Sequence, residues 1–199
     1  MSVSTVSTFF AVTALILAAT VVIVAVVGVA SRWSNRGRAM LDVITISVGP
    51  QALWLAFGVA LAATLGSLYY SEVARFEPCE YCWYQRIAMY PLTLTLGVAA
   101  ARKARGIGPY VLPAASIGGL IAAYHYLIQH VPSLSADTCS ITSPCTAAWV
   151  WEFDFVSIPF MALVSFSLIV TLVVLDGRFR RMADEAPPNP DHEPLEQHR

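Results

Sequence analysis

Charge is what this sequence has least of. Only 13 % of its 199 residues are charged and 57 % are hydrophobic, whereas a soluble domain carries about a quarter charged residues. A mean hydropathy of +0.63 excludes an ordinary water-soluble globule, because the excess apolar surface needs lipid to face. The formal net charge is −1, so no overall field recruits nucleic acid or an acidic substrate. Cysteine is also scarce, with four in the chain, all in two close pairs. No internal repeat is visible. The residues ahead of the first apolar run include no Lys or Arg. That run also exceeds the 7–15 residues of a signal-peptide core, and Arg32, Arg36 and Arg38 behind it are the wrong flank for cleavage. It reads as a retained helix.

Five apolar runs are present, at about 9–30, 51–70, 84–101, 111–129 and 158–175. Each is near the ~20 residues that cross a hydrocarbon core of ~30 Å. With so little chain left over, helices are the way to satisfy backbone amides in lipid. The expected fold is an all-α membrane protein, a bundle with a four-helix core and an extra N-terminal helix. Three regions follow: 1–50, the first helix and a basic cytoplasmic loop whose 40–48 stretch lies along the interface; 51–176, the four-helix domain that holds both cysteine pairs; and 177–199, a disordered cytoplasmic tail. Pro187, Pro188, Pro190 and Pro194 among acids give that tail its solvated character.

Basic residues set the orientation. Arg32, Arg36 and Arg38 follow the first run, Arg102, Lys103 and Arg105 the third, and Arg178, Arg180 and Arg181 the fifth. With Arg199 they put ten of the twelve basic residues on one side, leaving Arg75 and Arg86. The N-terminus and both cysteine pairs are therefore expected outside, where disulfides persist, and the C-terminus in the cytoplasm.

The chemistry centres on Pro78-Cys-Glu-Tyr-Cys-Trp-Tyr-Gln-Arg86. Pro78 suits the first turn of a helix. A helix starting there puts Cys79 and Cys82 at the positive end of its dipole, favouring thiolate. Arg86, one turn (roughly 6 Å) beyond Cys82, shares its face. A bare C-x-x-C is equally half of a zinc site, an inert buried pair or chance. The second pair, Cys139 and Cys145, lies in the predicted outer loop, about 130–156. Two dithiols on one side of a membrane suggest electron relay more than metal storage. Arg86 is either a partner for the thiolate or a snorkelling interfacial cation. His125, late in the fourth run, is either a proton donor near neutrality or a polar tie between helices. Gln85 and Gln129 either bond a ligand carbonyl or satisfy each other. His130 is expected to be solvated. Trp149, Trp151 and Phe155 read as interfacial rings.

The Cys79–Arg86 run followed by Met89-Tyr-Pro91 resembles the DsbB/BdbC family of disulfide-bond-formation membrane proteins. His125, Gln129, Pro132, Cys139, Cys145 and Ser157-Ile-Pro159 extend the resemblance, which covers about 51–175. It implies a quinone-dependent protein-disulfide oxidoreductase of the bacterial cytoplasmic membrane. Such an enzyme reoxidises a soluble extracytoplasmic thioredoxin-fold thiol oxidase (DsbA/BdbD-like) and passes the electrons to the membrane quinone pool, ubiquinone or menaquinone. Carried over by motif, Cys139 receives the soluble partner, Cys145 passes the bond to Cys79, and Cys82 faces the quinone. Arg86 lies against the quinone ring, with Gln85 and His125 as further cofactor-binding candidates. No metal is expected. The extra first helix departs from the four-span pattern. The loop cysteines, with only five residues between them, are closer than in the Gram-negative members. The competing reading is a structural or metal-binding membrane protein with a four-thiolate site. A thiol conduit across the membrane would need cytoplasmic cysteines, and the expected topology provides none.

Overall fold

The computed structural model describes residues 3–134 and 144–185. They form six helices: α1 (Val3–Ala30), α2 (Asn35–Val48), α3 (Ala52–Leu68), α4 (Glu80–Ala101), α5 (Gly108–His130) and α6 (Ile158–Glu185). No strand occurs among the described residues; the only extended pairing is a single bridge between Glu152 and Val156. The protein is an all-α membrane bundle, with α3–α6 as its core and α1 beside α6.

Small and branched residues at helical spacing make the core. Ala52, Ala56 and Ala60 of α3, Leu92 and Leu96 of α4, Val111, Ala115 and Ala122 of α5, and Phe166, Ile169 and Leu172 of α6 join in one buried cluster. The outward faces are apolar as well: Leu94 is 74 % exposed and Leu120 71 %. An outer surface of this kind is stable only against hydrocarbon. Four stretches are long and apolar enough to cross a membrane by length and composition, namely Val3–Ala30, Asn35–Val73, Gly108–His130 and Ile158–Glu185. Helix α4 is the more polar member, because its first turns carry the candidate chemistry.

Close packing of α5 on α6 depends on Gly118. A Cβ there would lie 2.4 Å from Cε1 and Cζ of Phe166, whereas at Gly119 the nearest atom is 3.5 Å away. Gly118→Ala is expected to cost about 1–3 kcal/mol by overpacking and to lower the unfolding temperature in detergent. Gly119→Ala should be neutral or mildly stabilising through helix propensity. Equal midpoints for the two variants would contradict this packing.

Two segments differ from expectation. The 31–50 loop is mostly helix α2, because Leu41 packs with Val27 of α1 and Leu175 of α6. Helix α6 continues to Glu185, past the expected start of the tail at 177, held by ion pairs Arg178–Asp42 (2.7 Å), Arg180–Asp176 (2.8 Å) and Arg105–Asp184 (2.8 Å). All three sit at the basic end of the bundle. The rest of the tail, 186–199, lies outside the described residues.

Candidate functional site

The opposite end of the bundle positions the cysteines. After α3 the chain makes a π-helical turn, Tyr69–Val73, and reverses at Arg75, whose φ of 60° is left-handed. It then runs extended to Cys79, which caps α4 with φ −72° and ψ 173°. Pro78 holds its predecessor extended and Cys79 is itself extended, and the helix begins two residues later than expected, at Glu80. Cys82 sits in the first turn. From the other side the 144–157 segment folds back over the site. Trp149 stacks on Phe76 at 5.4 Å, and Tyr126 donates to the Phe155 carbonyl at 3.1 Å. Cys145 lands in one buried cluster with Cys79 and Ile128.

Cys79 and Cys82 carry free thiols with Sγ atoms 3.0 Å apart. That is too long for a disulfide at ~2.05 Å and short enough for the sulfurs to share a proton. Cys145 is disulfide-bonded; Cys139 lies outside the described residues. His125, 2 % exposed, sits between the two dithiol regions. Its Nε2 is 3.6 Å from Cys79 Sγ and 3.1 Å from the Cys145 carbonyl oxygen, while Nδ1 is 3.1 Å from Nε2 of Gln85. If the Gln85 amide donates to Nδ1, the Nε2–H is directed at the sulfur and the carbonyl. His125 thus faces the Cys79–Cys145 junction. Gln85 orients it, and Gln129 donates to the Ala147 carbonyl at 3.4 Å. His130 packs on the Tyr126 and Trp151 rings at 4.4 and 5.1 Å.

In this reduced pair the negative charge belongs on Cys79. The Cys82 thiol donates to it, and this outweighs burial; His125 adds a second hydrogen bond, and together they bring the Cys79 thiol down to about 4. Cys82 moves up because it holds the shared proton and is buried beside a thiolate, and Arg86 opposes this only weakly. Iodoacetamide alkylation of Cys79 in the reduced protein should therefore stay near its maximal rate from pH 8 down to about 5, declining only as the thiolate protonates near 4. A profile falling through pH 8–9, as for a free thiol, would refute the shared proton.

Arg86 is held by Ser67 and lines the same cavity as Cys82. Its Nε donates to Ser67 Oγ at 2.9 Å and its terminal nitrogen to the Ser67 carbonyl at 3.2 Å; the guanidinium carbon lies 5.2 Å from the Trp83 ring centre. This places the charge at one end of a cavity of ≈520 Å³ bounded by α1, α3, α4 and α6. Cys82, Gln85, Arg86, Ser67 and the acidic Glu77 are among its polar lining, and Trp54, Val59, Met89 and Ala162 belong to its apolar wall. Tyr90 lines it too, with a buried hydroxyl that has no hydrogen-bond partner among the described residues. A flat apolar molecule with carbonyl oxygens fits this donor set, Arg86 and Tyr90 supplying N–H and O–H groups. Cys79 and His125 do not line this cavity; they border a second one of ≈20 Å³ with Gln129 and Trp149.

The ligand atoms of Cys79, Cys82 and His125 lie within 4.8 Å of one another and are able to hold a metal ion. A four-thiolate centre needs Cys145 as a thiolate, whereas here it is disulfide-bonded. Ser67 and Tyr90 were missed as site candidates. Tyr90 stands inside the quoted motif, whereas Ser67 is a lone hydroxyl in an apolar run and carries no sequence signal.

Comparison with known proteins points the same way. The family model of "Disulfide bond formation protein DsbB" matches residues 50–175. The chain is 51 % identical over 119 residues to "Probable disulfide formation protein C 1" of Bacillus anthracis, covering 59 % of this chain and 86 % of that protein. It is 48 % identical over 124 residues to "Disulfide bond formation protein C" of Bacillus subtilis, covering 62 % and 90 %. Against "Probable disulfide formation protein" of Coxiella burnetii it is 42 % identical over 134 residues, covering 64 % and 91 %. No solved structure matches the chain.

Proposed function

The chain belongs to the disulfide bond formation protein DsbB family, and from that premise we propose that it is a quinone-dependent thiol oxidase serving a soluble thioredoxin-fold partner. One observation carries the reading. The Cys79–Cys82 dithiol stands between a disulfide-bonded loop cysteine and a cavity whose polar end holds Cys82 and Arg86.

In each turnover a dithiol partner is oxidised to a disulfide and two electrons and two protons leave with the reduced acceptor. Cys139 accepts the partner's thiolate, and Cys145 is released. The Cys145 thiolate then attacks Cys79 of the oxidised Cys79–Cys82 pair, breaking that bond and expelling Cys82 as thiolate. The Cys79–Cys145 bond lasts until the partner's second thiolate has displaced Cys139, the partner leaving as the disulfide, and Cys139 re-forms its bond to Cys145 and releases Cys79. With Cys79 tied up in the mixed disulfide, the influences that raise Cys82 through its neighbour disappear. Arg86 then stabilises the sulfur charge. His125 holds the Cys145 backbone against Cys79 and is placed to take or return a proton there. A bound quinone, ubiquinone or menaquinone, supplies the two-electron acceptor. Arg86 and Tyr90 would hold its oxygens, with Gln85 fixed behind Cys82.

The test is quinone content of the purified protein together with thiol-driven quinone reduction followed by absorbance. Co-purifying quinone and catalytic turnover are expected; absence of both would sink the reading. The proposed orientation has both cysteine pairs outside and the C-terminus in the cytoplasm of a bacterial cell membrane. A reporter fused after Arg181 should be active in the cytoplasm, and the opposite result would reverse the topology.

A further inference from the structure

Helix α1 lies outside the family-matched residues 50–175, yet it borders the large cavity. It packs closely on α6 and α2 and reaches α3 through side chains. The Phe10 ring lies 3.3 Å from where a Gly66 Cβ would stand and 6.3 Å from the Tyr70 ring. The Tyr70 hydroxyl donates to Ser7 Oγ at 3.3 Å, with both residues buried. The space between these contacts is part of the cavity, and Phe10, Thr13, Ala14 and Leu17 line it. Those four residues sit at i, i+3, i+4 and i+7, one helix face. From Ser7 to Leu17 the face rises about 15 Å, running from the Tyr70 end, near Ser67 and Arg86, toward mid-bundle. Phe10 therefore stands near the polar end, and Ala14 and Leu17 stand along the apolar length.

We propose that α1 is a wall of the quinone site in this protein. Phe10 closes the ring end, and the small side chain of Ala14 leaves the passage for the isoprenoid tail. The inference rests on the quinone reading of the cavity and adds a helix that the family-matched region does not contain. Gly66 belongs to the same arrangement, since a Cβ there would stand 3.3 Å from the Phe10 ring and the ring would have to give by a few tenths of an ångström.

The first test leaves the chain unaltered. The full-length protein in lipid nanodiscs is photolabelled with an azido-benzoquinone carrying a decyl tail, and labelled peptides are mapped. Label within Val3–Ala30 that unlabelled decylubiquinone competes away supports α1 as a wall. Competable label confined to α3, α4 and α6 overturns it. Kinetics provide the second test. Ala14→Phe fills the passage and should raise the KM for decylubiquinone by roughly tenfold or more, with single-turnover thiol exchange unchanged. Val22→Phe, at a lipid-facing position 59 % exposed, should leave both unchanged. Arg86→Met separates the two levels of the argument. If it impairs quinone reduction and Ala14→Phe does not, α1 is not a wall and the quinone reading stands. If no variant affects quinone kinetics and no label is competed away, the quinone reading itself has failed.

Discussion

Cys79→Ser is expected to abolish steady-state thiol-driven quinone reduction, by about three orders of magnitude or more, while sparing one round of thiol oxidation. In the proposed relay Cys79 is the sulfur both halves must use. It shares a buried cluster with Cys145, lies 3.0 Å from Cys82 and receives the His125 contact at 3.6 Å. A serine oxygen cannot form the mixed disulfide, so a reduced loop pair would have nowhere to pass its electrons. The Cys145 disulfide already present would still be consumed once by a reduced partner. Steady-state quinone assays paired with acid-quenched single turnovers separate the two phases. Sustained turnover in Cys79→Ser would mean that Cys82 exchanges directly with the loop, and the assigned order would be wrong.

Arg86→Met should act on the other half of the relay. The side chain keeps its length and apolar stem but loses its bonds to Ser67 and its charge at the cavity end. Removing a preorganised donor from a site of developing negative charge typically costs about 10²–10³ in rate, and a loss of that order is expected in kcat/KM for the quinone. Single-turnover oxidation of the partner should be largely unchanged, because the Cys79–Cys145 junction does not touch Arg86. Arg86→Lys should recover part of the loss, restoring a point charge without the planar fork that grips Ser67. Unchanged quinone kinetics in Arg86→Met would reduce Arg86 to an interfacial cation resting on Trp83.

Much of this protein is legible in one dimension because lipid imposes a simple rule. A run of ~20 apolar residues must close its own backbone hydrogen bonds, so the long helices and the all-α class could be read from composition and run length. The C-x-x-C-W-Y-Q-R segment likewise marked the candidate site, since two sulfurs and a cation within two helical turns are a local feature. The amphipathic helix α2 and the extension of α6 to Glu185 were not apparent. Both depend on partners distant in sequence, Val27 and Leu175 for the first and Asp42 for the second.

Only the tertiary structure decided which groups meet. Helical spacing put Arg86 on the Cys82 face, and the guanidinium also reaches Ser67, 19 residues earlier, since a half-buried carbonyl and hydroxyl offer it two hydrogen bonds. His125 was expected as a proton donor, a cofactor group or a polar tie between helices, and packing of α5 against α4 brings its ring to Cys79, 46 residues away. That contact, together with the proton donated by Cys82, moves the charge of the reduced pair to Cys79, whereas the motif alone pointed to Cys82. Helix propensity and hydropathy act over a few turns and are written locally. The charge state of a sulfur and the walls of a cavity depend on burial and on donors brought in by other helices, so they exist only once the bundle has closed.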